Sequence, residues 1–135
     1  MDEARAAHPG RAIELHAVPC PVWVDGDRWE QVVSHLLGNA IRHGDATRPI
    51  LVEVALLDTH VSVSVHNFGP PIDADLLPRI FDPFQRPGWQ KGRTEGLGLG
   101  LYIADRIVAA HAGTIEVHST AATGTRFRAT FSRFP

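Results

Sequence analysis

Apolar and polar positions follow a helical period in some segments and a strand period in others, and their order along the chain sets out the elements. Trp29, Val32, Val33, Leu36, Leu37, Ala40 and Ile41 recur at the spacing of one helix face. Asp25 or Asp27 offers an N-cap for this helix, and His43-Gly44 closes it. Ile50 to Leu57 and Val61 to His66 alternate apolar and polar residues around an Asp58-Thr59-His60 turn, the pattern of an antiparallel hairpin with one buried face. Ahead of the helix, Ala12 to Ala17 and Pro21 to Val24 read as short strands. Asp73 to Ile80 reads as a short helix, and Phe81 to Glu95 as a long irregular stretch rich in Gly, Pro and basic residues. Helical spacing returns from Leu97 to His111 with Leu101, Ile103, Ala104, Ile107 and Val108, and Gly113 is the expected C-cap. Thr114 to Ser119 and Thr125 to Phe131 then form a final strand pair around a turn containing Gly124. Helices between hairpins favour an α+β fold, with a mixed sheet and its helices on one face, over a doubly wound parallel sheet.

Composition adds mainly exclusions. The chain has 135 residues, the length of one domain, and 44% of them are apolar, with no run approaching the ~18 apolar residues of a membrane span. Residues 1–11 hold few large apolar side chains and read as a linker, leaving 12–135 as the folded domain. A net charge of -2 gives no general attraction to nucleic acid or to anionic lipid, so neither is an expected partner and any anion site must be local. Cys20 is the single cysteine and there is no secretory signal, which points to a cytoplasmic setting. The eight histidines match no zinc-binding spacing, and no Gly-x-Ser-x-Gly elbow of an α/β-type hydrolase is present.

Several constellations carry candidate chemistry. On the first helix His35, Asn39 and His43 are spaced four apart, with Arg42 three beyond Asn39, so all can project to one side. A solvated helix face has the same spacing, but the Asn39 carbonyl also suits magnesium, which takes oxygen ligands and few of them from protein. Arg42 and His43 would then stand near phosphates. At a strand end, His66-Asn67-Phe68-Gly69-Pro70-Pro71-Ile72 reads either as an ordinary turn or as a site where Asn67 meets a purine edge and Gly69 lets backbone approach a flat ring. Gly96-Leu97-Gly98-Leu99-Gly100-Leu101 brings closely spaced glycines to a helix start, where amide donors and the helix dipole favour phosphate. Each glycine costs a helix ~1 kcal/mol, which packing alone does not explain. The spacing is neither Gly-x-Gly-x-x-Gly nor a P-loop. Upstream, Arg86, Lys91 and Arg93 are either a solvated basic loop or a cover for polyphosphate.

In this order the segments resemble the catalytic ATP-binding domain of sensor histidine kinases, whose Bergerat fold is shared with type II topoisomerases, large heat-shock chaperones and mismatch-repair ATPases. The resemblance covers about residues 12 to 134. His35 to His43 looks like the family's N box, Asn67 to Ile72 its first glycine box and Ile80 to Arg86 its F box. Gly96 to Leu101 looks like the second glycine box, and Gly124-Thr125-Arg126-Phe127 the closing glycine motif. The resemblance implies a two-layer sandwich, a mixed and mainly antiparallel sheet backed by about three helices. It implies ATP and Mg2+ as cofactors. Asn39 would bind the metal, Arg42 and His43 would approach the phosphates, and Asn67 and Thr125 would address adenine. Gly69 and the stretch Gly96, Leu97, Gly98, Leu99, Gly100 and Leu101 would shape the site, under a lid of Phe84 to Glu95 that carries Arg86, Lys91 and Arg93.

By the same analogy the γ-phosphoryl group passes to a histidine on a separate dimerisation domain, and from there to a cognate response regulator. The isolated chain is expected to be monomeric and to bind ATP without autophosphorylating, while the parent protein can be membrane-attached. The sequence departs from the family at three positions. His35 and Asn67 stand where asparagine and aspartate are usual, and Pro71 replaces a common glycine. A neutral Asn67 should hold adenine less tightly, by about 1 kcal/mol. A kinase-like module that binds partners and transfers nothing is the alternative reading. An ATP hydrolase of the superfamily is the weaker one, because the glutamate that such enzymes place four residues before the metal asparagine is His35 here.

Overall fold

The computed structural model describes residues 13–17, 26–83 and 99–132. Strand β1 (Ile13–Ala17) leads to helix α1 (Gly26–His43), then to the hairpin of β2 (Ile50–Leu56) and β3 (His60–Asn67). A 3-10 turn (Leu77–Arg79), helix α2 (Gly100–Ala110) and the hairpin of β4 (Thr114–Thr120) and β5 (Gly124–Ser132) complete the order. The strands form a five-stranded sheet in the order β1-β2-β3-β5-β4, parallel between β1 and β2 and antiparallel elsewhere. This is the mixed, mainly antiparallel sheet that the sequence predicts. The expected strand from Pro21 to Val24 and the segment up to Arg11 lie outside the described residues.

Strand alternation decides which side of the sheet the helices cover. Directly paired residues share a face, so Val52, Val65, Phe127 and Val117 form one apolar row, and Val54, Val63, Ala129 and Ile115 the next. Against these rows α1 buries Val32, Val33, Leu36, Leu37 and Ala40, and α2 buries Leu101, Ala104 and Val108. Trp29 meets Phe131 edge-on at 5.0 Å, and Phe81 meets Phe127 at 5.9 Å. The opposite face is polar, with Glu53, Ser64, Arg128 and Glu116 side by side. On the inner face the apolar rows stop at one end of the sheet, where the last row is Asn67, Thr125 and Ser119. Among the described residues no helix is long and apolar enough to cross a membrane.

Helix α1 begins at Gly26, so of its two expected caps Asp27 lies in the first turn, while Asp25 is outside the described residues. Two elements differ from their sequence expectations. The segment from Asp73 to Ile80 is a turn followed by a single 3-10 turn, because Pro78 has no N–H to give the Ala74 carbonyl. Its bonds run instead from Arg79 to Leu76 at 2.9 Å and from Ile80 to Leu77 at 3.3 Å. The described layer is therefore two α-helices and this turn, in place of about three helices.

Helix α2 also closes differently. Ala112, not Gly113, takes the left-handed conformation, at φ 58°. Its N–H reaches the Ala109 carbonyl at 3.1 Å and the Gly113 N–H reaches Val108 at 2.9 Å, a Schellman closure with alanine in the usual glycine place. Gly113 is needed for another reason: a Cβ there would collide with the Thr130 carbonyl and lie 2.8 Å from the Phe131 Cβ. The left-handed region costs an L-residue roughly 1 kcal/mol. Ala112→Gly should therefore stabilise the domain by about 0.5–1 kcal/mol, read as a rise of a few degrees in Tm. An unchanged or lower Tm would contradict this description of the helix end.

Candidate functional site

A cavity of about 320 Å³ opens at the polar end of the sheet, and the inner ends of α1, β3 and β5 supply its polar groups: Asn39, His43, Asn67 and Thr125. Pro70, Pro71, Ile72, Leu76 and Ile80 give it an apolar wall, with Asp73 at the rim of that wall. An apolar slot with a few converging polar groups is the usual form of a small-molecule site.

Asn39 is 5% exposed, so it does not belong to a solvated helix face. Its amide makes no hydrogen bond to another described residue and lines the cavity, where it is available to a ligand. His43, one turn further along α1, lines the same space. Arg42 does not. It runs back along the helix, and a Cβ on Gly38 would lie 3.6 Å from its guanidinium nitrogen.

His35 packs instead against the start of α2: a Cβ on Gly100 would sit 3.4 Å from its Nδ1. Burial, and then the nearby Arg42 charge, hold the imidazole below the ordinary histidine value of 6.5. The unfolded chain protonates this group as pH falls through about 6.5, while the folded chain resists doing so until lower pH. Stability from His35 is thus fully present above pH 6.5 and is lost as pH falls below it. Thermal melts between about pH 7.5 and about pH 5 should show Tm falling less steeply in His35→Asn than in the original chain. Parallel curves would contradict a neutral, half-buried His35.

Asn67 is 2% exposed. Its Nδ2 donates to its neighbour's carbonyl, Phe68 O, at 3.3 Å, which leaves Oδ1 as the atom offered to the cavity. A carboxylate at this position would set oxygen against that carbonyl, so the neutral amide suits the local geometry. The backbone around Asn67 is clamped from both sides. Asp45 N–H donates to Phe68 O at 2.7 Å, Arg48 lies 3.8 Å over the Phe68 ring, and His66 shares a 2.5 Å hydrogen bond with the Thr123 carbonyl. Gly69, at φ 140°, is packed into this clamp. A Cβ there would lie 3.1 Å from Asp45 N and 3.3 Å from His43 O, and Gly69 does not line the cavity.

Thr125 pairs with Asn67 across β3 and β5 and lines the cavity. Of the second glycine segment, Leu99 is the N-cap residue of α2 and makes no side-chain cap, Gly100 opens the helix beside His35, and Leu101 is 1% exposed in the core. Arg86, Lys91, Arg93, Gly96, Leu97 and Gly98 lie outside the described residues. Sequence reasoning missed Asp73, Leu76 and Ile80 as site residues, because apolar spacing from Ile72 to Ile80 signals core as readily as cavity wall. It also missed Ser119, which hydrogen-bonds Thr125.

Known proteins share both the sequence pattern and the fold. The sensor histidine kinase CusS of Escherichia coli K12 is 42% identical over 131 residues, which are 94% of this chain and 27% of that protein. The chain spans less than a third of the length of the curated relatives it matches. The catalytic domain of histidine kinase ThkA, solved free of nucleotide, matches with a TM-score of 0.81 at 28% identity, over 99% of this chain and 90% of that one. Full-length ShkA, solved in complex with AMPPNP, matches with a TM-score of 0.77 at 28% identity, over 96% of this chain and 28% of that one. The profile of the histidine kinase-, DNA gyrase B- and HSP90-like ATPases matches residues 24–134, and the chain belongs to that family of ATP-binding domains.

Proposed function

We propose that this chain is the catalytic ATP-binding domain of a two-component sensor histidine kinase, presenting the γ-phosphoryl group of ATP to a histidine on a separate dimerisation domain. The observation that carries the reading is the convergence of three buried polar residues, Asn39, Asn67 and Thr125, on one cavity with an apolar wall. In this reading Asn67 Oδ1 and Thr125 face the adenine, and the proline-rich wall from Pro70 to Ile72 covers its ring. The phosphates run along α1 past Asn39 toward the start of α2, where no side chain caps the first turn. Asn39 fits Mg2+ as a neutral oxygen ligand, and the ion would neutralise phosphate charge as the γ-phosphoryl group departs. What this chain contributes is position and a dry pocket, since phosphoryl transfer asks for little covalent help.

Transfer to histidine is favoured over hydrolysis by the residue four before Asn39. It is His35, turned toward Gly100 with Arg42 nearby, rather than a glutamate poised to activate water. The sensor-kinase relatives support the same choice, and in this reading a response regulator is the eventual phosphate acceptor and the parent protein can be membrane-attached. Calorimetry with ATP tests the nucleotide half of the proposal directly. Binding should require magnesium and should favour ATP over GTP, and an absence of binding at millimolar ATP with magnesium would overturn it.

A further inference from the structure

The inner face of the sheet ends in a short chain of hydroxyls, for which donor counting favours one direction. Ile72 N–H donates to Ser119 Oγ at 2.8 Å, and Ser119 Oγ lies 2.7 Å from Thr125 Oγ1. Register places the three polar residues side by side, Ser119 opposite Thr125 and Thr125 opposite Asn67. A serine hydroxyl has one proton to give. Of the two partners of Ser119, the Ile72 amide is itself a donor, so Thr125 Oγ1 is the one that can accept the serine proton, and the arrangement in which both hydroxyls donate has serine donating to threonine. Thr125 is 3% exposed and lines the cavity, and its own proton is then left for whatever occupies that space.

We infer that Ser119 is a specificity-determining positioning residue, which fixes Thr125 as a hydrogen-bond donor to the ring nitrogen beside the amino group of a 6-aminopurine. Asn67 supplies the complementary half. Its Nδ2 is held by the Phe68 carbonyl, so it offers Oδ1, an acceptor. An acceptor beside a donor matches the edge of adenine, whose amino group donates and whose N1 accepts. A 6-oxopurine presents the reverse order and is mismatched at both positions. Ile72, in the cavity wall, sets this polarity through a backbone amide, so the wall and the base-reading row are coupled. The inference rests on the nucleotide reading above.

The test is calorimetry of the chain with magnesium and either ATP or 1-deaza-ATP, in which a C–H replaces N1. The original chain should bind ATP about fivefold more tightly than 1-deaza-ATP, the worth of one ordinary hydrogen bond. Ser119→Ala should weaken ATP by about fivefold and leave 1-deaza-ATP within about twofold, while Ser119→Thr, which keeps the hydroxyl, should restore ATP. An equal loss for both nucleotides would mean that Ser119 only supports the fold, and would overturn the inference. Should Ser119→Ala fail to fold, equal affinity of the original chain for the two nucleotides overturns it on its own. Binding of neither nucleotide to the original chain would instead overturn the nucleotide reading, and the inference with it.

Discussion

Asn39→Ala is expected to abolish magnesium-dependent ATP binding while leaving the fold intact. Residues that merely orient a metal ligand cost about 10- to 100-fold in metal affinity when removed, so loss of the ligand itself should weaken binding by at least about a hundredfold. The helix should tolerate the change. Val33, Leu36 and Leu37 hold α1 to the sheet, alanine is the best helix former, and the Asn39 amide has no described protein hydrogen bond to lose. Melting should therefore stay within a few degrees of the original chain. Unchanged ATP affinity in a folded variant would remove the metal from this helix, and a collapsed variant would show that Asn39 is structural.

Gly124→Ala should be strongly destabilising. Gly124 has φ 82°, where an L-residue is already strained, and its added Cβ would overlap the Asn67 carbonyl oxygen and lie 3.1 Å from the Phe68 Cα. Both neighbours are backbone in the segment clamped by Asp45, Arg48 and His66, so neither can step aside alone. Strain and overpacking together should cost about 2–4 kcal/mol in urea unfolding. Because the methyl group pushes on Asn67 and on the strand that carries Thr125, nucleotide affinity should fall as well. Native stability in Gly124→Ala would contradict the close approach of the β4–β5 turn to β3.

The regular elements were legible because their signals are local. The apolar spacing from Trp29 to Ile41 fixed α1 and the residues that it buries, and alternation in Val61, Val63 and Val65 fixed the inner face of β3. Asn67 continues that alternation, so its inward direction was written in the same pattern. Asn39 was legible as chemistry through its spacing within the N box, but its burial depends on helix α1 meeting the cavity wall. Spacing says which side of a helix a residue occupies and not where a long side chain turns, which is why Arg42 lies back toward Gly38. Ser119 was not legible because its partners, Ile72 and Thr125, come to it only through the register of β4 on β5 and the path of the proline segment. The same holds for Gly69, whose close neighbours His43 and Asp45 belong to a distant turn. At Ala112 the sequence misled: a glycine one residue on drew the cap to itself, whereas tight packing against Thr130 and Phe131 is what that glycine satisfies.

The proposed activity is delivery of the γ-phosphoryl group of ATP to a histidine on another domain. Incubating the chain with γ-labelled ATP and magnesium, alone and with the histidine-bearing dimerisation helices of the parent kinase, measures that directly. No label is expected on the chain alone and little released phosphate, since His35 stands where a hydrolase places its base. Acid-labile label is expected on the helices when both are present, slowly, because tethering normally supplies the effective concentration that free domains lack, and none with the Asn39→Ala chain. Acid-labile label on the isolated chain, or helices left unlabelled by a chain that binds ATP, would contradict the proposal.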